Sequence, residues 1–174
     1  CPQLKAVCSM AVGYNNIDVA ACTRAGILVT NTPEVLNDTT ADMAFALVLA
    51  AGRQVVKGDT YVRQGRWHRW RFMEWLGPDV HHATLGILGM GRIGRTIAKR
   101  AGGFEMALRY HSRRPVPDLQ WPHEPSLIEL ARWADYLVVI TAGGPATRHL
   151  IHAEVLDALG PNGLLINVAR GSVV

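Results

Sequence analysis

Short aliphatic runs recur along this chain at residues 27–30, 85–88, 106–110, 136–140 and 164–168, and the stretches between them carry apolar residues at helical spacing. Parallel strands are buried on both faces, so they read as continuous apolar runs, and each needs a crossover to reach the next. The alternation therefore predicts an α/β fold on a parallel sheet.

The intervening stretches support this reading. The longest helix is expected over residues 39–53, capped by Asp38 or Thr39 and apolar nearly all round, which suits a helix buried between two layers and acting as a hinge between domains. A second follows Gly91, with Ile93, Ile97, Ala98 and Ala101 on one face and Gly102-Gly103 to end it. A third begins at Ser126, where Ser126 and Glu129 have the spacing of a capping box. A fourth covers residues 153–159 and stops at Gly160-Pro161.

Composition narrows the class. With 49% hydrophobic and 18% charged residues the chain is globular, not disordered. Its longest apolar run, residues 43–51, is far short of the roughly 20 residues a membrane-spanning helix needs. Cys1, Cys8 and Cys22 are odd in number and lack metal-ligand spacing, so they read as reduced thiols, and a cytoplasmic location is expected. The charge of +4 comes from 18 Lys and Arg against 14 Asp and Glu. Part of it lies in Arg63, Arg66, Arg69 and Arg71, interleaved with Trp67, His68 and Trp70. No nucleic-acid fold signature surrounds that cluster, which is read as a solvated or interface arm. The opening on Cys1 and the stop at Val174 just after a strand pattern suggest a piece of a longer chain.

The most informative stretch is Leu85-Gly86-Ile87-Leu88-Gly89-Met90-Gly91-Arg92-Ile93-Gly94, in which an apolar strand enters G-x-G-x-x-G and a helix leaves it. That order suits a dinucleotide: the first glycine makes the tight turn, the second lets backbone approach a pyrophosphate, and the third lets helix and strand pack closely. The helix N-terminus then offers N–H groups to the phosphates. An acid about 20 residues on would accept the ribose hydroxyls of NAD(H). Here the second strand runs instead into His111-Ser112-Arg113-Arg114. Arginine can bind a 2′-phosphate that a carboxylate would repel, so NADP(H) is expected over NAD(H). Two further loops, Thr141 to Pro145 and Asn167 to Gly171, should lie at the same carboxyl edge, the second placing Arg170 where it could clamp a substrate carboxylate. The seven histidines include no evident acid/base partner, and most are read as surface or packing residues.

Residues 26–53 (GILVTNTPEVLNDTTADMAFALVLAAGR), 85–94 (LGILGMGRIG) and 166–174 (INVARGSVV) resemble, in order and spacing, the D-isomer-specific 2-hydroxyacid dehydrogenases. The likeness covers nearly the whole chain. Gly77 to His82 and the Ser-Arg-Arg run look most like the members that reduce glyoxylate, hydroxypyruvate or 2-ketogluconate. The resemblance implies a Rossmann-type doubly wound parallel sheet over residues 36–174, incomplete at its C-terminal end, and a remnant of a flavodoxin-like substrate domain over residues 1–35. It implies hydride transfer from NADPH to a short 2-oxo acid, giving the D-2-hydroxy acid. Arg170 matches the family's catalytic and substrate-binding arginine, and Val12-Gly13 the loop whose backbone N–H groups hold the substrate carboxylate. The expected cofactor set is Gly89, Gly91, Arg92, Ile93 and Gly94 at the pyrophosphate, Ser112, Arg113 and Arg114 at the 2′-phosphate, and Thr141, Ala142, Pro145, Thr147, Val168, Ala169 and Arg170 along the adenosine and nicotinamide.

The same resemblance implies a homodimer formed through the cofactor domain, with residues 66–76 as an arm toward the partner and Trp70 or Trp75 near its substrate pocket. No metal, nucleic acid or membrane partner is expected. The family's glutamate and proton-donating histidine fall downstream of Val174, so these 174 residues alone are expected to bind NADPH weakly at best and to turn over nothing. The alternative is a dinucleotide-sensing interaction protein, like the corepressors related to this family. The carboxylate loop and Arg170 favour the enzyme, since a sensor needs neither.

Overall fold

The computed structural model describes residue 1 and residues 3–174. In chain order the strands are β1 (Ala6–Cys8), β2 (Leu28–Thr30), β3 (Thr84–Leu88), β4 (Ala107–His111), β5 (Tyr136–Val139) and β6 (Leu164–Asn167). The helices are α1 (Val19–Arg24), α2 (Asn37–Gly52), α3 (Val55–Arg63), α4 (Arg92–Gly102), α5 (Leu127–Trp133) and α6 (Ala153–Leu159). All strand pairs are parallel, in a sheet of β1 and β2 and a larger one ordered β4-β3-β5-β6.

Strand periodicity explains the layering of the larger sheet. Leu85 and Ile87 of β3, Tyr136 and Val138 of β5 and Ile166 of β6 bury against α2 and α4, through Ala41, Ala44, Phe45, Val48, Ile97, Ala98 and Ala101. The alternate residues Leu88, Leu137 and Val139 bury on the opposite face, against Leu130 and Ala131 of α5 and Val155 of α6. Helices therefore cover both faces, and the chain winds outward from β3 in two directions, to β4 on one side and through β5 to β6 on the other. That reversal leaves a crevice beyond the carboxyl ends of β3 and β5, where ligands of open α/β sheets bind.

All five expected strands form, with ends shifted by a residue or two. The capping expectations fare differently. α2 starts at Asn37 and is preceded by Leu36 with no side-chain cap. Asp38 and Asp42 instead both reach the Arg100 guanidinium on α4, tying the two helices that share one face of the sheet. Ser126 does cap α5, its hydroxyl accepting the Glu129 amide N–H at 3.3 Å. The reciprocal half is absent: the Glu129 carboxylate pairs with Arg132, and the Ser126 N–H donates to Glu124.

Candidate functional site

A cleft of about 750 Å³ lies between the small sheet and the carboxyl edge of the large one. Its walls come from residues 11–15 after β1, residues 31–40 after β2, Gly91–Gly94 after β3, Ile140–Gly143 after β5 and Val168–Arg170 after β6. The volume is within the range of small-molecule sites.

The three glycines of the turn after β3 differ in their surroundings. Gly89 has φ +108°, and its amide donates to the His111 carbonyl at 2.9 Å, which fastens the turn to the end of β4. A Cβ on Gly94 would run into the Gly89 carbonyl oxygen, so helix and strand close to this distance only without one. A Cβ on Gly91 would meet nothing within 4 Å. Gly91 precedes α4 with no side chain capping the helix, so the helix N-terminus faces the cleft with backbone donors and open space. The donor set and the space fit a phosphate. Arg92, in the first turn, pairs with Glu34 across the cleft at 3.1 Å.

At the other end Arg170 projects from the turn after β6. Asn167 builds that turn: its side-chain amide donates to the Arg170 carbonyl at 2.9 Å, and its Oδ1 accepts the Ala169 N–H at 3.0 Å. The guanidinium donates from Nε to Asn15 Oδ1 at 3.2 Å and from Nη1 to the Ala169 carbonyl at 2.9 Å. Two glycines make room for it. A Cβ on Gly13 would overlap Arg170 Nη2, and one on Gly143 would lie 2.8 Å from Arg170 Cγ. The loop that holds Gly13 is fixed in turn by Asn31, which donates to the Val12 carbonyl at 2.9 Å.

The structure thus brings Val12, Gly13, Gly91, Arg92, Ile93, Gly94, Thr141, Ala142, Val168, Ala169 and Arg170 to one cleft. Gly89 lies behind it, its Cβ direction closed by Ile140 and Thr141 backbone. Pro145 and Thr147 form a short 3₁₀ turn outside the lining, and the Thr147 hydroxyl ties the loop by donating to the Ala142 carbonyl at 2.7 Å. Ser112, Arg113 and Arg114 also lie outside the lining, in a bend just beyond β4. Sequence reasoning missed Asn15, Asn31 and Asn167 as supports. Their signal was an amide next to each cleft loop.

A parallel sheet wound in both directions, with a glycine turn and an uncapped helix at its reversal, defines the NAD-binding Rossmann class. Within that class residues 45–174 match the D-isomer specific 2-hydroxyacid dehydrogenase, NAD binding domain, and the chain belongs to that family. It is 46% identical over 180 residues to a glyoxylate reductase of Pyrococcus horikoshii, covering 99% of this chain and 54% of that protein. It is 42% identical over 170 residues to a glyoxylate/hydroxypyruvate reductase A of Arabidopsis thaliana, covering 98% of this chain and 54% of that one. Among solved structures it resembles, with TM-score 0.92 and 40% identity, an NADPH-dependent glyoxylate/hydroxypyruvate reductase of Sinorhizobium meliloti in complex with NADP and malonate, over 99% of this chain and 54% of that chain. The chain spans about half the length of the curated relatives it matches.

Proposed function

We propose that this chain supplies the cofactor half and part of the substrate site of a reductase that acts on a short 2-oxo acid such as glyoxylate, hydroxypyruvate or 2-ketogluconate. The observation that carries the proposal is a single cleft with an uncapped helix N-terminus at Gly91 and a guanidinium at Arg170 set beside the Val12-Gly13 backbone. A 2-oxo acid presents a carboxylate and an adjacent carbonyl oxygen. The Val12-Gly13 N–H groups take the carboxylate, while Arg170 binds it from the other side and polarises the carbonyl toward attack. NADPH, when bound, supplies the hydride. Gly91 to Gly94 hold its pyrophosphate, and the Thr141-Ala142 and Val168-Ala169 segments flank its adenosine and nicotinamide. Asn15, accepting from Arg170 Nε at 3.2 Å, holds one edge of the guanidinium and so limits how it can meet the substrate.

NADPH is the preferred form in this reading because Arg113 and Arg114 stand exposed at the end of β4, where no carboxylate occupies the ribose position. The reading also divides the chain at residues 35/36, supported by the two separate sheets. It includes a homodimer through the cofactor domain, with residues 66–76, where Trp67, Trp70, Phe72, Met73 and Leu76 are exposed, as an arm toward the partner, and a cytoplasmic location.

Titration with NADPH and NADH, followed by quenching of the five tryptophans, tests the proposal. Tighter binding of NADPH, lost in Arg113→Gln, is expected. Equal binding of the two, or a preference that survives the substitution, overturns the cofactor assignment.

A further inference from the structure

β4 is the outermost strand of the large sheet, yet residues 122–124 lie against it through one parallel bridge, Tyr110 to His123. The Tyr110 N–H donates to the Pro122 carbonyl at 3.1 Å, and the Glu124 N–H donates to the Tyr110 carbonyl at 2.7 Å. Two imidazoles then cross the bridge in opposite directions. His111 Nδ1 lies 2.9 Å from the Glu124 carbonyl, and His123 Nε2 lies 3.0 Å from the Ser112 carbonyl. A carbonyl oxygen only accepts, so each of these ring nitrogens carries a proton and donates. The two rings are nearly parallel, at 16° and 6.2 Å between centroids.

The bond to Ser112 bears on the bend that carries Arg113 and Arg114. That bend closes on itself through the Ser112 hydroxyl, which donates to the Arg114 carbonyl at 2.6 Å. Arg113 and Arg114 are exposed and belong to no ion pair among the described residues, so no carboxylate sets their direction. The backbone of the bend sets it instead. That backbone is fastened at one end by the Gly89 N–H to His111 carbonyl bond and, one residue later, by His123 at the Ser112 carbonyl. His123 is half-buried, packed beside Tyr110 at 5.2 Å, and is held by a segment with proline on both sides, at Pro122 and Pro125. Among the described residues it is the one side chain from outside the bend that bonds the Ser112 carbonyl, while the Tyr110 hydroxyl accepts the Val116 N–H at 2.9 Å just past Arg114.

We propose that His123 is a positioning residue for dinucleotide selection: by donating to the Ser112 carbonyl it fixes the bend that presents Arg113 and Arg114 to a 2′-phosphate. The inference rests on the NADPH reading above. It differs from a purely structural role in one respect, since it ties His123 to the 2′-phosphate alone. Loss of one neutral hydrogen bond should lower the NADPH to NADH affinity ratio by roughly threefold to tenfold.

The experiment compares the chain as it stands with His123→Leu, His123→Gln and Arg113→Gln, measuring NADPH and NADH affinity by tryptophan quenching and foldedness by circular dichroism melting. The expected result is an NADPH preference in the parent, a reduced preference in H123L with NADH binding unchanged, and restoration in H123Q, whose amide N–H can donate where Nε2 does. Equal weakening of both nucleotides in H123L, or an unchanged ratio, overturns the proposal and leaves His123 a structural post. A parent with no NADPH preference, unaltered in R113Q, overturns the 2′-phosphate reading and this inference with it.

Discussion

Gly89, Gly91 and Gly94 sit within six residues, and the structure separates what each of them does. Gly94 is needed for packing, because a methyl there would be driven into the Gly89 carbonyl oxygen. Gly91 has an ordinary φ of −78° and open space on its Cβ side, so its reason lies with whatever approaches it. Alanine substitutions should therefore part company. G94A should lose about 1–3 kcal/mol of stability in denaturant unfolding, the usual cost of overpacking. G91A should unfold within about 0.5 kcal/mol of the parent, since glycine has no advantage over alanine where φ is negative and the space is free. Its NADPH affinity should still fall by tenfold or more, on the order of the 1.4 kcal/mol lost when backbone can no longer approach the pyrophosphate. Equal stability loss in both variants would show that Gly91 is structural as well.

At the scale of elements, Ser126→Ala tests the cap that the sequence reading placed at the start of α5. Its hydroxyl is the acceptor for the Glu129 amide, so its removal should cost about 1 kcal/mol and lower the melting midpoint by roughly 2–4 °C. The strands of the large sheet were legible because β3 and β5 are buried on both faces and read as unbroken apolar runs. β1 was not: it is three residues long with exposed ends, too short to show a period. α3 was hidden by Gly58 and by a start at Gln54 with φ +51°. The cap of α2 was misplaced because Asp38, a good capping residue in isolation, is drawn to Arg100, 62 residues away in sequence. The site divides along the same line. Arg170 and the glycine turn carry their chemistry in residue type and local spacing, whereas the bond from Arg170 to Asn15 spans 155 residues and is invisible until the chain has folded.

Across the whole molecule, two phenols reach into the principal core, Tyr110 and Tyr136, and the second ties distant segments together. Tyr136 of β5 is fully buried, and its hydroxyl donates to the Asp79 carbonyl at 3.1 Å and occupies the space that a Cβ on Gly52 would need. It therefore links the large sheet, the end of α2 and the segment that enters β3. Burial pushes this phenol above its ordinary value, and the charges of Asp135 and Asp79 push it the same way. The folded chain thus keeps the proton at a pH where the unfolded chain releases it. Such a group contributes its full stability below the unfolded value and loses it as pH rises, so stability should be flat with respect to Tyr136 up to about pH 10 and should decline beyond it. Tyr136→Phe should cost about 0.5–1.5 kcal/mol at neutral pH, because the Asp79 carbonyl loses its donor. The variant should also lose part of the alkaline decline, so the stability gap between parent and variant narrows as pH rises from 9 to 11. Urea unfolding of both proteins across that range measures the gap. A gap that stays constant would assign the alkaline loss to other groups and would leave Tyr136 with a packing and hydrogen-bonding role only.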